Sequence, residues 1–285
     1  MRFTKTAALA AASLLVLSAC KPTATAGNEA SAAADNGSAS TAASGSIDGT
    51  WKADVTTAKW DQKPDEYLLQ NGTYSCKTCT PPYSVAADGA FHAVQGHDYV
   101  DEVSVKVVND KTVNMATKLK GRETGHSTWT VSADGNTLGD DWTDTSIAGG
   151  KPGTGHFEET RVAAGPAGAS AISGSWKPSK AANLNPESLT ITFKSDADML
   201  HMSSPSGTSY DAKLDGTPTP IKGDPAGTTA SVKKLADGSY QETDTSSAGK
   251  VLSVTTFSVG ADGKLSGVSE SKLDGSKFSW KADKA

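Results

Sequence analysis

Cysteine, aromatic residues and clustered positive charge are all scarce in this chain of 285 residues. It contains 3 cysteines and 6% aromatic residues, and its 27 Lys and Arg are outnumbered by 32 Asp and Glu, which gives a net charge of −5. This balance argues against nucleic-acid binding, which needs clustered lysine and arginine to displace phosphate counterions. The one long apolar run, residues 7–19, falls short of the roughly 20 residues that a membrane-spanning helix needs.

The first 20 residues have the pattern of a secretion signal that ends at a cysteine. Arg2 and Lys5 supply a positive start, an apolar stretch follows at residues 7–17, and small residues precede Cys20. This pattern resembles the lipobox of bacterial lipoproteins, whose cysteine becomes the first mature residue and carries the lipid. The resemblance implies a signal peptide at residues 1–19 and lipidation of Cys20. An ordinary secretory signal with a chance cysteine is the alternative.

Residues 20–46 predict a disordered tether that begins at the lipidated cysteine. After Cys20 the segment contains no Val, Ile, Leu, Met or aromatic residue, so it has no apolar surface whose burial would offset the entropy of ordering. An Ala-rich helix is the alternative, which the scattered Gly, Asn and Ser residues disfavour. In lipoproteins, a residue other than Asp after the cysteine usually directs the protein to the outer membrane. Lys21 therefore implies an outer-membrane protein that faces the periplasm or the cell surface.

The rest of the sequence consists of two similar repeats. Matching segments recur at offsets of 125 to 128 residues: 47–52 with 172–177, 83–89 with 210–216, 104–106 with 231–233, and 133–135 with 261–263. Because the offset drifts so little, insertions are small and belong in turns. We predict two homologous domains, repeat 1 at residues 47–163 and repeat 2 at residues 171–285, joined by a linker at residues 164–170.

Both repeats have the pattern of antiparallel β-structure. Val103, Val105 and Val107 alternate with polar residues, which is typical of a half-buried strand. Asp-Gly and Asn-Gly pairs, which favour tight hairpin turns, recur along the chain, and no convincing long helical period is present. We predict an all-β protein with a meander of about eight strands in each repeat. Closure into an up-and-down barrel would hide the sheet edges best, and a two-sheet sandwich is the alternative.

A Gly-x-Trp motif opens each repeat, at Gly49 and Trp51 in repeat 1 and at Gly174 and Trp176 in repeat 2. Each motif resembles the one that opens the first strand of lipocalins, where the indole closes one end of the barrel. As a whole, the chain resembles bacterial lipoproteins with tandem lipocalin-like domains. The resemblance implies that each tryptophan is buried in the barrel of its own repeat and that the barrels have the capacity for a small apolar ligand.

Cys76 and Cys79 form the only Cys-x-x-Cys motif, and it lies in repeat 1. We expect a local disulfide between them, because an envelope protein is exposed to oxidising conditions. Redox catalysis is the alternative, although it would need the motif at a helix N-terminus, where the thiol pKa is lowered. The segment between a strand and a Pro-rich turn does not offer that setting.

Four of the five histidines also lie in repeat 1, where His92 and His97 share what we predict to be a loop. They are the best candidates for a metal site in zinc or copper chemistry, but solvent-exposed histidines are the simpler interpretation, and we predict no cofactor. A group of carboxylates is expected to form solvated surface: Asp140, Asp141, Asp144, Glu158 and Glu159. Any specific ligand or metal site should lie in repeat 1, since repeat 2 has neither the cysteines nor the loop histidines.

These features together predict a non-enzymatic lipoprotein of the bacterial cell envelope that acts as a binding or scaffold module. Its expected partners are the lipid bilayer, through acylated Cys20, and either a small apolar ligand or an envelope protein. One alternative is a metal- or redox-active protein centred on Cys76, Cys79 and the histidines of repeat 1. The other is a purely structural envelope lipoprotein.

Overall fold

The computed structural model describes residues 45–285. The signal peptide at residues 1–19, the lipidation of Cys20 and nearly all of the tether therefore lie outside the described residues.

The described chain is built of strands, with a single 3-10 turn at Pro186–Ser188. The strands are β1 (Gly49–Asp61), β2 (Asp65–Gln70), β3 (Thr73–Cys76), β4 (Tyr83–Ala86), β5 (Asp88–Ala93), β6 (Glu102–Asn109), β7 (Thr112–Leu119), β8 (Arg122–Val131), β9 (Thr137–Asp144), β10 (Gly153–Ala164), β11 (Gly174–Ala182), β12 (Thr190–Asp196), β13 (Met199–Ser203), β14 (Ser209–Lys213), β15 (Thr219–Pro220), β16 (Thr229–Lys234), β17 (Tyr240–Thr245), β18 (Val251–Val259), β19 (Leu265–Ser271) and β20 (Lys277–Lys284). In residues 45–285, no helix has the length and apolar character to cross a membrane.

Local sequence explains most of these strands and the turns between them. In β7, Val113, Met115, Thr117 and Leu119 are buried while the residues that alternate with them are more exposed, as the period of two requires. Between β2 and β3, Asn71 and Gly72 have φ angles of 53° and 73°. Two successive positive φ angles are the requirement of a type I′ turn, whose twist suits an antiparallel hairpin.

The strands form two ten-stranded sheets, and every neighbouring pair is antiparallel. Barrel 1 has the order β4-β3-β2-β11-β10-β9-β8-β7-β6-β5, and barrel 2 has the order β14-β13-β12-β1-β20-β19-β18-β17-β16-β15. The end strands of each sheet are close in sequence, and each sheet curls into a nearly closed barrel. The prediction of two antiparallel barrels is confirmed. Each barrel has ten strands instead of about eight, since short strands such as β4 and β15 add to the ends of the sheets.

The first strand of each repeat lies in the barrel formed by the other repeat. In barrel 2, β1 is paired with β12 and β20, so that Trp51 lies opposite Ile191 and Lys284. In barrel 1, β11 is paired with β2 and β10, so that Trp176 lies opposite Asp65 and Arg161. Barrel 1 is therefore the continuous segment 65–182, and barrel 2 combines β1 with residues 190–284.

This exchange corrects the boundaries that the sequence suggested for the two barrels. Residues 164–170 do not separate two barrels, because they connect β10 to β11, which pair within barrel 1. Arg161 fixes this connection: its guanidinium donates to the carbonyls of Ser173 (2.8 Å) and Ala171 (2.7 Å) and packs 3.8 Å from the ring centre of Trp176. The chain crosses between the barrels at residues 62–64 and 183–189 instead.

The two Gly-x-Trp tryptophans are buried in equivalent settings. Trp51 and Trp176 are 1% and 0% exposed, and each indole Nε1 donates to the carbonyl four residues earlier, at Ile47 (2.7 Å) and Ile172 (2.9 Å). Trp51 belongs to the core of barrel 2 and Trp176 to the core of barrel 1. The expectation that each indole is buried in the barrel of its own repeat is wrong, because its strand is exchanged.

Several side chains join the barrels, among them Trp60 and Tyr99. Near the exchanged strands, the ring of Trp60 on β1 lies 5.5 Å from that of Phe157 in barrel 1 and 5.6 Å from that of Phe278 in barrel 2. Farther away, the Tyr99 hydroxyl of barrel 1 donates to Asp224 of barrel 2 at 2.7 Å. Buried aromatic rings and an inter-barrel hydrogen bond therefore hold the two barrels together, in addition to the two chain segments that connect them.

Candidate binding site inside barrel 1

The two cysteines of repeat 1 are joined in the structure, as the sequence predicts. Cys76 ends β3, Cys79 lies in the following loop, and their Sγ atoms are 2.00 Å apart. Cys76 is buried and also accepts a hydrogen bond from the backbone N–H of Cys79 at 3.0 Å. The disulfide stands at a strand end, without the helix N-terminus that would lower a thiol pKa.

The histidines that could have formed a metal site have separate surroundings. His92 lies on β5, not in the predicted loop, and its Nε2 lies 2.8 Å from Asp88 Oδ1 on the surface. The His97 ring meets that of Tyr83 edge-on at 5.6 Å, and burial lowers the pKa of His97 to about 4. Within residues 45–285, no three His, Cys, Asp or Glu side chains are arranged to hold a metal ion.

Barrel 2 contains a buried pair of carboxyls that the sequence analysis missed. Glu242 and Asp244 project from the same face of β17 and are both fully buried. Tyr210 donates to Glu242, and Ser253 Oγ donates to Asp244 Oδ2 at 2.9 Å. Burial raises the pKa of Glu242 well above its ordinary range and that of Asp244 to about 7, and the two carboxyls interact with each other. The sequence contained a signal for this pair, because Glu242 and Asp244 alternate along the chain with the same period of two as the apolar residue Tyr240.

Barrel 1 also contains a buried carboxyl, Glu159, and a half-buried one, Asp140, which corrects the prediction that this group of acids forms solvated surface. Asp140 lies directly opposite Trp129 between β9 and β8, and Glu159 on β10 is only 5% exposed. Burial raises the pKa of Asp140 to about 7, the charge of Glu159 adds to the rise, and hydrogen bonds from Ser127 and Trp129 oppose it. Asp141, whose side chain faces outwards, instead pairs with His156 at 2.7 Å.

Aromatic rings surround this part of the barrel. The ring of Trp129 lies 4.8 Å from that of Tyr67 and 6.4 Å from that of Tyr74, in tilted and edge-to-face arrangements. Tyr74 is completely buried, and burial followed by the charges of Tyr83 and Glu159 raises its pKa well above its usual value. Because the rings touch one another, little space is left between them for a long apolar ligand.

Four different polar atoms in this cluster make no hydrogen bond of good geometry among the described residues. They are the Tyr74 hydroxyl, Ser127 Oγ, Trp129 Nε1 and Asp140 Oδ1, and all are shielded from solvent. Ser127 and Trp129 nevertheless act on Asp140 as weak hydrogen-bond partners that lower its pKa, and Tyr83 is a weak hydrogen-bond partner of Tyr74. Buried polar groups usually make well-formed hydrogen bonds, so these weak contacts leave capacity for further hydrogen bonds inside barrel 1.

The corresponding atoms of barrel 2 have a simpler explanation. There, the unpartnered buried oxygens near the acids are Glu242 Oε1 and Asp244 Oδ1, which belong to interacting carboxyls whose raised pKa values favour protonation. A proton shared between them satisfies both. In barrel 1, the side chains belong to three different strands: Tyr74 lies on β3, Ser127 and Trp129 lie on β8, and Asp140 lies on β9. We name these four side chains, Tyr74, Ser127, Trp129 and Asp140, the barrel 1 cluster.

Comparison with known proteins leaves the geometry as the main guide to function. No protein-family model, no curated protein and no solved structure matches the chain.

Proposed function

We propose that this protein is a lipid-anchored, non-enzymatic binding protein of the bacterial cell envelope. Barrel 1 takes up a small ligand, and barrel 2 serves as the scaffold that completes and supports it. The observation that carries this proposal is the barrel 1 cluster, in which four solvent-shielded polar atoms of different chemistry make only weak hydrogen bonds. We also propose that the protein is related to lipocalin-like lipoproteins, which the Gly-x-Trp motifs and the two barrels support.

The interior of barrel 2 supports a scaffold role. The rings of Phe193 and Phe257 lie 5.2 Å apart, and Trp280 lies 6.4 Å from Phe257. Trp51 from the exchanged strand belongs to the same core, and the buried acids are hydrogen-bonded to Tyr210 and Ser253. A small barrel filled in this way by its own side chains is a packed core.

The envelope location rests on the N-terminal sequence. The lipobox-like segment before Cys20 supports acylation, and the apolar-free stretch after it would hold the barrels away from the bilayer. The polar character of the barrel 1 cluster favours a hydrogen-bonding ligand over the apolar one that the lipocalin resemblance implies.

Two experiments test this function. Wild-type protein extracted from membranes without unfolding should show a bound small molecule in native mass spectrometry, and Asp140→Asn should lose it while the outward-facing Asp141→Asn retains it. Cys20→Ser should move the protein from the membrane fraction to the soluble envelope fraction. If wild-type protein carries no bound molecule and a diverse small-molecule panel never raises its unfolding temperature, the binding function is wrong.

A further inference from the structure

Tyr99, which joins the two barrels, lies at one end of barrel 2. It belongs to the loop of barrel 1 between β5 and β6, and it packs against Leu252 and Leu273 of barrel 2, which are both buried. Its hydroxyl donates to Asp224 Oδ1 at 2.7 Å and accepts from Thr228 Oγ1 at 2.5 Å. Because a phenol carries one proton, these two bonds use it once as donor and once as acceptor. Apolar packing and two hydrogen bonds therefore dock Tyr99 on barrel 2.

Barrel 2 has polar buried residues at the end where Tyr99 docks. At the opposite end, Trp51 pairs with Lys284, the last residue of β20. Leu252 at the start of β18 and Leu273 after the end of β19 mark the Tyr99 end, because neighbouring strands are antiparallel. The buried polar residues of β17, β18 and β19 are Glu242, Asp244, Ser253, Thr255, Ser269 and Ser271. The acid pair of β17 is the part of this polar region that can change its charge.

The acid pair has no cation to compensate it. Glu242 and Asp244 are both 0% exposed, and burial raises the pKa of both, that of Asp244 to about 7. In the described chain, the titratable groups that face the pair are Tyr210 on β14, Asp224 in the turn before β16, and Tyr99. None of the charges that shift the pKa of either acid belongs to a Lys, Arg or His of the described residues. Loss of protons from the pair therefore leaves buried negative charge without a counter-charge.

Asp224 links the acid pair to Tyr99. The charge of Asp224 raises the pKa of Asp244, so an ionised Asp244 repels Asp224 in return. Asp224 is half-buried and lies between the exposed Gly223 and Gly227, so it can move into solvent and relieve this repulsion. The same carboxylate accepts the Tyr99 hydroxyl. Movement of Asp224 therefore removes the main polar contact of Tyr99.

We propose that Tyr99 is a latch between the barrels, and that ionisation of Glu242 and Asp244 releases it. While the pair holds its protons, Asp224 stays in place and the latch is closed. Tyr99 itself stays protonated, since burial and then the charge of Asp224 raise its pKa well above the usual value. The Trp60 contact and the two chain crossings remain after release, so the barrels stay connected. The latch is independent of ligand binding in barrel 1.

NMR of the tyrosine rings tests the latch in the mature chain, residues 20–285 with Cys20→Ser and ¹³C-labelled tyrosine. The chain has 6 tyrosines, and Tyr99→Phe assigns the Tyr99 signal. Nuclear Overhauser effects between the Tyr99 ring and the methyl groups of Leu252 and Leu273 report docking. With a pKa of about 7 for Asp244, the ratio of released to docked Tyr99 should rise about tenfold between about pH 6 and about pH 8. We expect these effects to weaken several-fold over that range, while the signal of Tyr240 in the barrel 2 core stays in place.

Matched variants assign the pH response to the acid pair. Glu242→Gln combined with Asp244→Asn keeps the pair neutral, so Tyr99 should stay docked at both pH values. Glu270→Gln changes a surface carboxyl of β19 in the same barrel and should retain the response of the wild-type chain. If the double variant does not fold, as judged from the Tyr240 signal, Asp244→Asn alone provides the test and should reduce the response.

Three results would overturn the latch. The first is Tyr99 equally docked at both pH values in the wild-type chain. The second is a Tyr240 signal that moves to the position of an unfolded chain together with the release of Tyr99, which would show that ionisation unfolds barrel 2 as a whole. The third is an unchanged pH response after neutralisation of the pair, which would assign the response to another group.

Discussion

Replacing Trp51 with alanine should destabilise barrel 2, although Trp51 belongs in sequence to repeat 1. The side chain is 1% exposed, and it packs in the same core as Phe193 and Phe257. Burying an indole removes about 150–250 Å² from water, which at about 25 cal/mol per Å² corresponds to about 4–6 kcal/mol. Tryptophan-to-alanine changes in cores cost about 3–5 kcal/mol, so we expect a loss of about 4 kcal/mol in the free energy of unfolding. The Ile47 carbonyl also loses its indole donor.

Hydrogen exchange followed by mass spectrometry assigns this loss to a barrel. With Trp51→Ala, exchange should rise across residues 190–284 and remain slow in residues 65–182. Trp176→Ala is the matched control and should produce the reverse pattern. If Trp51→Ala instead exposes residues 65–182 and spares residues 190–284, the assignment of β1 to barrel 2 is wrong.

Three further predictions concern local interactions. Burial raises the pKa of Asp244 from 3.8 to about 7 and also raises that of Glu242, so the folded state binds their protons more tightly than the unfolded state does. The free energy of unfolding should therefore fall as pH rises from about 4 to 7. Urea titrations of Glu242→Gln should show a smaller fall. Cys76 and Cys79 should resist alkylation until they are reduced, and reduction should change the unfolding temperature little because the loop is short. Arg161→Met should raise hydrogen exchange in residues 165–173 by removing donors to their carbonyls, while Arg122→Met, at the surface, should leave that segment unchanged.

Local patterns were enough to predict the barrels, and insufficient to predict which strands compose them. The alternation in β6 and the Asn71–Gly72 turn depend on neighbours in sequence, so they could be recognised directly. The exchange of β1 and β11 could not be recognised in this way. Both strands begin with Gly-x-Trp and offer the same pattern to either barrel, and only the three-dimensional paths of residues 62–64 and 183–189 decide between them.

The candidate site was predicted only at the level of the repeat that contains it. Cys76, Cys79 and His97 drew attention to repeat 1, and the disulfide was predicted correctly. The carboxyls were assigned to the surface because acidic residues are usually exposed, although Asp140 stands two residues from buried Leu138 in an alternating strand. The weak hydrogen-bond geometry at the four cluster atoms depends on how β3, β8 and β9 approach one another, which no local pattern contains.

The most direct test of the binding function is a high-resolution crystal structure of protein purified from membranes without unfolding. The account predicts electron density for a non-protein molecule larger than water, in contact with Asp140 and with Trp129 Nε1, and within hydrogen-bonding distance of Tyr74 or Ser127. Well-formed hydrogen bonds among these four side chains with no density between them, or isolated waters alone, would contradict it.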